Sequence, residues 1–299
     1  MPEDNLRKRL KKLNRTAVKG GSRGQASASR ASSGQALRAI RVPDLPEEVS
    51  QASRLRIEDI APGRVVERPD GGAYWLVERR LSDIACDCEL FFHRYSTLLT
   101  SEAIILPEGS RRDLAEFVEC DPHRVVYLDI ETTGLSGRPL FLIGVMEFDG
   151  HDFLIRQFFA RNYAEERHLL ADLAGYLPTF EMMITFNGRS FDVPYMRDRA
   201  AVNRLEVGLP PRHFDLLHES RRRWRRWLPN CRLVTLEECI CRRRRVDDIP
   251  SELIPAAYHE FVHTEDASKM RHVMHHNALD LLTMAELALF MLTGQNDWG

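Results

Sequence analysis

The sequence predicts an α/β fold: a mixed five-stranded sheet, three antiparallel strands then two parallel ones, flanked by helices, with a small α+β unit ahead of it. Three observations carry this expectation. Three β-rich runs follow one another across short turns from Arg124 to Ala160. Helix-like and strand-like segments then alternate, which places helices against a sheet. An isolated hairpin pattern lies upstream, near Asp70.

Residues 1–40 read as a flexible basic tail. Residues 1–41 carry eleven Lys/Arg against two acidic residues, and "KGGSRGQASASRASSGQ" (Lys19–Gln35) is too poor in apolar groups to repay the entropy of ordering. "NLRKRLKKL" could form a short helix or stay a solvated charged stretch. Residues 41–120 form the small N-terminal α+β subdomain. In it "RVVERPDGGAYWLVERRL" reads as two strands turning at Asp70-Gly71-Gly72, where glycine permits positive φ. Tyr74, Trp75, Phe91, Phe92 and Tyr95 are read as packing residues.

Residues 121–299 are the main domain. "RVVYLDIE", "LFLIGVMEF" and "DFLIRQFFA" are the first three strands, with turns at Gly134–Arg138 and Asp149–Gly150. "AEERHLLADLAGYL" is an amphipathic helix with Asn162 near its start. "EMMITFNG" is the fourth strand, "FDVPYMRDRAAVNRL" a helix and "RHFDLL" the fifth strand. The remainder reads as helical, ending in "NALDLLTMAELALFML".

With 43% hydrophobic and 29% charged residues the 299-residue chain is globular, and it has no eighteen-residue apolar run to span a membrane. The first residues lack the apolar stretch of a secretory signal. Their Arg/Ser/Ala richness is that of a transit peptide, against which Glu3 and Asp4 count. Cys86, Cys88, Cys120, Cys231, Cys239 and Cys241 show neither zinc-site nor disulfide-framework spacing, so reduced thiols in the cytoplasm are expected. The net charge of −2 conceals a polarised distribution, with a second basic cluster from Arg221 to Arg245, so a polyanionic partner is compatible with it.

Chemistry enters at "VVYLDIETTGLSG". Side chains two apart on a strand share a face, so Asp129 and Glu131 point one way while Leu128 and Ile130 pack the other. Two carboxylates about 4 Å apart repel by roughly 4 kcal/mol at an effective dielectric of about 20. Either one takes up a proton, or a cation sits between them, or the strand end is simply solvated. "TFNGRSFDVPYM" adds Asp192 at a strand-to-helix junction. "HHNALDLL" adds Asp280 among leucines, where Asn277 as N-cap would make it an ordinary capping residue.

"DIETTGL", "NGRSFDVPYM" and "HHNALD", in that order, resemble the DEDD exonucleases of the ribonuclease-H-like superfamily, and more closely the YprB-like branch of predicted bacterial exonucleases. "FLIGVMEF", "HFDLLHESRRRW", "CRLVTLEE" and "DDIPSELIPAAYHEF" add to the likeness, which covers about Arg124 to Thr293. The resemblance implies a ribonuclease-H-like sheet and two divalent cations, Mg²⁺ or Mn²⁺. Asp129 would bridge the two; Glu131 and Asp280 would serve one and Asp192 the other. It further implies stepwise removal of nucleoside monophosphates from a 3′ end. Thr132, Thr133, Gly134 and Leu135 would lie along the substrate, as would Asn187, which also suits a turn before Asp192.

The family places a base or water-orienting residue shortly before the last Asp, a His five back or a Tyr four back. His275 has the first spacing and His276 the second. On a continuous helix His276 lies about 40° from Asp280 and His275 about 140° away, which favours His276. If Asn277 caps the helix, both sit on a loop and His275 recovers. His213 and Asp215 share a strand face and are read as packing or helix-entry residues ahead of substrate contacts.

"ESRRRWRRW" and "CRRRRVDD" contribute to ten arginines between Arg221 and Arg245. Arg221, Arg222 and Arg225 are expected to contact nucleic-acid phosphates. Trp224 and Trp227, spaced i, i+3, are expected to face the core. The overall expectation is a metal-dependent 3′→5′ exonuclease acting on DNA or RNA. The rivals are a structure-specific endonuclease on the same site and a catalytically weak nucleic-acid-binding module.

Overall fold

The structure, a computed structural model, describes residues 37–46, 54–85, 89–100, 106, 112–135 and 137–293. "NLRKRLKKL", read as either a short helix or a solvated charged stretch, and the expected flexible stretch from Lys19 to Gln35 lie outside them. In chain order the elements begin with β1 (Arg38–Arg41), α1 (Ile57–Ile60), β2 (Arg64–Glu67), β3 (Ala73–Arg80), α2 (Glu89–Thr100) and α3 (Arg112–Glu119). There follow β4 (Val125–Thr132), β5 (Leu140–Phe148), β6 (Phe153–Phe159), α4 (Glu166–Tyr176), β7 (Met182–Thr185), α5 (Asp192–Val202) and β8 (Arg212–Asp215). The chain continues with α6 (Leu216–Trp224), α7 (Leu233–Leu236), β9 (Arg243–Val246), α8 (Ile254–Thr264) and α9 (Met270–Thr293).

The five strands expected from the sequence are β4 to β8, and they pair as expected. β4, β5 and β6 form an antiparallel meander, and β7 and β8 run parallel to β4, giving the order β6-β5-β4-β7-β8. The sheet does not stop there. β2 and β3, the hairpin read as part of a separate subdomain, extend it to seven strands, with β3 antiparallel to β6 from Trp75↔Phe159 to Arg80↔Leu154. An open β6 edge would leave a row of unpaired backbone groups, and the hairpin satisfies them. It also buries Tyr74, Trp75, Leu76 and Val77, with the Trp75 indole donating to the Ala61 carbonyl at 3.0 Å.

Both faces of the sheet are covered, which is why β4 opens with four buried residues, "VVYL". Val126, Leu128 and Ile130 pack on one face with Leu170 of α4, Met196 of α5 and Tyr258 of α8. Val125 and Tyr127 pack on the other with Leu279 and Leu282 of α9. By strand parity, Asp129 and Glu131 therefore point to the α9 side.

Two further features depart from the sequence reading. Arg38–Arg41, at the end of the expected tail, pair in parallel with β9. The region after β8, read as helical, contains β9 and a π-helical turn at Glu237–Cys241. Cys120, Cys231, Cys239 and Cys241 are free thiols. Among the described residues no helix is long and apolar enough to cross a membrane.

Candidate active site

Three elements deliver four carboxylates to one place. The alternation of β4 presents Asp129 and Glu131, and the ladder to β5 slips between Glu131 and Thr132 as the strand ends. α5 starts at Asp192, which is buried, and α9 carries Asp280. Burial raises the Asp129 pKa well above the ordinary carboxylate range, and repulsion from Asp280, Glu131 and Asp192 raises it further. Glu131 is raised by burial and then by Asp280, Asp192 and Asp248, with Arg245 opposing. Asp192 is pushed up to about 7, burial first, then Asp215 and Asp280, against the pull of the Asp192 and Ile130 backbone N–H groups. Asp129, Glu131 and Asp192 are thus each harder to ionise, through burial first and then through the charge of their neighbours, Asp280 among them.

Two groups already engage these carboxylates. Asn277 Nδ2 donates to Asp129 Oδ2 at 2.8 Å, and Arg245 Nη2 donates to Asp280 Oδ1 at 2.5 Å. Among the described residues no group of three or more His, Cys, Asp or Glu side chains is arranged, as it stands, to hold a metal ion. The donor set nonetheless fits hard divalent cations: all-oxygen, multiply charged, and short of compensating positive charge.

α9 runs unbroken from Met270 to Thr293, so Asn277 is an interior residue, not an N-cap. His276, one turn before Asp280, places Nε2 3.6 Å from Asp280 Oδ2. Its Nδ1 lies 2.9 Å from Asp248 Oδ2, and since an ionised carboxylate only accepts, Nδ1 carries the proton. The Nε2 lone pair of the neutral ring then faces Asp280 and Ser251 Oγ, 3.4 Å away. Burial lowers the His276 pKa, but Asp280 and Asp248 outweigh it and the net shift is upward. His275 lies on another face of the helix. It is buried, neither ring nitrogen has a hydrogen-bond partner among the described residues, and burial, then Arg79, pulls its pKa down to about 4.

The loop after β4 is tied down internally. Thr132 Oγ1 donates to the Gly134 carbonyl at 2.9 Å and Thr133 Oγ1 to that of Pro139 at 3.0 Å. Tyr195 of α5 donates to the carbonyls of Gly134 and Arg138 at 3.0 and 2.8 Å. Leu135 is left 83% exposed at the loop tip. Asn187 adopts φ of 66° in the turn before Asp192, and its backbone N–H donates to Asp215 Oδ1 at 2.8 Å. Asp215 also receives the N–H groups of Arg189 and of Leu217 in the first turn of α6, a loop-clamping and capping role. His213 is hydrogen-bonded to Thr185 Oγ1 at 2.8 Å.

The arginines divide. Trp224 is buried against Phe290, with ring centroids 5.7 Å apart, and Trp227 packs on the same core. Ten residues of α9 separate Phe290 from Asp280, roughly 15 Å of helix, so the arginine-rich end of α6 stands away from the carboxylates. There Arg221, Arg222 and Arg225 are all exposed, and Arg222 is in addition paired with the buried Glu219 at 2.5 Å. Of the ten arginines from Arg221 to Arg245, which suit a polyanionic partner, two have buried side chains instead. β9 turns Arg243 and Arg245 inward, where their charge is consumed by carboxylates. Arg243 pairs with Glu237 and Glu286 at 2.7 and 2.9 Å, and Arg245 with Glu237, Asp248 and Asp280. Alternation along "RRRRV" was the available signal for this. Asp248 gave none, being one of two adjacent acids in a loop.

A family model described as RNase_H superfamily matches residues 126–291. The chain is 29% identical over 174 residues to the uncharacterized protein YprB of Bacillus subtilis (strain 168), covering 56% of this chain and 42% of the relative, so it spans less than half of that protein's length. Among solved structures it is similar to the family B DNA polymerase of the archaeon Pyrobaculum calidifontis, at 18% identity and a TM-score of 0.44, covering 57% of this chain and 24% of the polymerase. With more than half of its residues matched by the family model, the chain belongs to the RNase H superfamily.

Proposed function

We propose that the protein is a nuclease, a metal-dependent 3′→5′ exonuclease that hydrolyses nucleic acid to nucleoside monophosphates. The observation that carries this is the convergence of four carboxylates from β4, α5 and α9, Asp192 buried and the other three half-buried, close enough for the charge of one to act on the next. Asp129, Glu131, Asp192 and Asp280 are the residues that would hold two divalent cations, Mg²⁺ or Mn²⁺, whose chemistry is to acidify the attacking water and stabilise the leaving oxygen.

His276 takes the proton of that water at Nε2, while Asp248 fixes the ring's tautomer and orientation through Nδ1. Asp248 and Asp280 also stabilise the imidazolium that results. Arg245 holds Asp280 in place. Leu135 offers an apolar surface to a terminal base, and Arg221 and Arg225 take phosphates further along the strand.

The test is a degradation assay on matched single- and double-stranded DNA and RNA, labelled at the 5′ end, with Mg²⁺ or Mn²⁺. A ladder shortening from the 3′ end, abolished by chelation and by Asp129→Asn while binding persists, is expected. Cleavage of a circular single strand would reassign the site to an endonuclease, and undiminished cleavage by Asp129→Asn would remove the site altogether.

A further inference from the structure

Behind Asp129 lies a line of buried polar groups with a single permitted polarity. Gln157 of β6 and Asn277 of α9 are both wholly buried. Gln157 Nε2 donates to the backbone carbonyl of Met274 at 2.7 Å and to Asn277 Oδ1 at 2.8 Å. A backbone carbonyl only accepts, so the Gln157 nitrogen must face α9 and its Oε1 must face away. There Arg79 Nη2 of β3 donates to it at 2.7 Å. With Asn277 Oδ1 committed to Gln157, Nδ2 is left to face Asp129, and it donates to Oδ2 at 2.8 Å. Every orientation along Arg79, Gln157, Asn277 and Asp129 is fixed by its neighbour, because reversing one amide sets acceptor against acceptor.

The backbone makes room for this line. Asp129, Gly144 and Gln157 stand opposite one another across β4, β5 and β6. A Cβ at position 144 would fall on the Asn277 amide oxygen, so only glycine admits the amide between strand and helix. Arg79 is an unusual terminus. The residue is partly exposed, but its Nε is buried without a hydrogen-bond partner among the described residues, and the hydrogen bond donated by its Nη2 ends on a neutral amide. Burial pulls its pKa down to about 10, yet it stays charged. Arg79 also lies outside the segment matched by the family model.

We propose that Arg79, Gln157 and Asn277 form a polarised hydrogen-bond relay that positions the Asp129 carboxylate, making the N-terminal hairpin a part of the active-site framework. The three are positioning residues, and their role rests on the nuclease reading above. The relay keeps a donor aimed at Asp129 and holds one of its oxygens in a set direction, so that the carboxylate meets its ligands preorganised.

Gln157→Glu tests the polarity. The substituted carboxylate can accept from Arg79 as an ion pair but can no longer donate to Asn277, whose amide then turns and presents its oxygen to Asp129. The expected result is a kcat at least tenfold lower, KM changed less than about threefold, and a smaller Mn²⁺-induced rise in melting temperature measured without nucleic acid. The metal-free variant should melt somewhat lower, because the substituted carboxylate also faces the Met274 carbonyl. The split between kcat and KM and the diminished Mn²⁺ shift, both read on folded protein, are the outcomes that a merely structural role does not produce. Arg79→Met, at the partly exposed end, should act in the same direction, and serves as the readout if Gln157→Glu does not fold. Wild-type kcat and an unchanged Mn²⁺ shift in the folded variants would overturn the relay while leaving the nuclease reading intact. A wild-type protein with neither cleavage nor a Mn²⁺ shift would overturn both.

Discussion

Asp192→Asn should stabilise the metal-free protein, and by an amount that depends on pH. The Asp192 carboxyl is buried and pushed up to about 7, against 3.8 for an unperturbed Asp. The folded state therefore keeps its proton longer than the unfolded state. Asp192's contribution to stability is fully present below pH 3.8 and is lost as pH rises through about 7. A gap of roughly three pH units corresponds to about 4 kcal/mol in order of magnitude. Asparagine does not titrate, so the variant escapes this loss. Relative to wild type in chelator-containing buffer, it should gain about 4 kcal/mol between pH 4 and pH 8, or roughly 10 °C in melting temperature for a chain of this size. Denaturant titrations at a series of pH values give the curve. Adding Mg²⁺ or Mn²⁺ at pH 8 should narrow the difference, because cations binding only the folded wild type supply what the mutation removed. A stability gap that is the same at pH 5 and pH 8 would refute the reasoning, since it would mean that burial, with its neighbours' charge, does not hold Asp192 protonated.

Other consequences can be checked alongside. Asp248→Ala removes the partner of His276 Nδ1; kcat should fall roughly ten- to hundredfold, and the acidic limb of its pH profile should move to lower pH, because a carboxylate that raised the histidine pKa is gone. Arg243→Met leaves the buried Glu237 and Glu286 with only Arg245 and Arg38 as partners and should cost about 1.5–3 kcal/mol in denaturant unfolding. Arg221→Glu with Arg225→Glu should weaken nucleic-acid binding at low salt and flatten its salt dependence by about one counterion per lost phosphate contact, with little change in melting temperature.

How far the sequence reveals this molecule depends on whether a residue's role is local. β4 to β8 were legible because each is an apolar run bounded by turn residues, and strand parity alone put Asp129 and Glu131 on one face. The hairpin at Asp70 was equally legible as a hairpin. Its attachment to β6 was not, because edge pairing is made of backbone hydrogen bonds that leave no side-chain signature. Asn277 shows the limit most clearly. As a sequence residue it suits a helix N-cap, and only the unbroken run of α9 from Met270 turns it into a donor for Asp129. The same continuity decides which histidine lies near Asp280. The inward turn of Arg243 and Arg245 shows in the sequence only as alternation along "RRRRV", because the composition of a run of arginines is the same whether it faces phosphate or buried carboxylates. Their partners identify the two residues, and these partners come from separate segments: Glu237 from the π-helical turn, Asp248 from the loop after β9, and Asp280 and Glu286 from α9.

The central claim is that these carboxylates form a divalent-cation site. Calorimetric titration of Mn²⁺ into the metal-free protein, beside Asp129→Asn, tests it most directly. Saturable binding by the wild type that is lost in the variant, with the variant still folded, is the expected result. Identical isotherms for the two proteins would contradict the account.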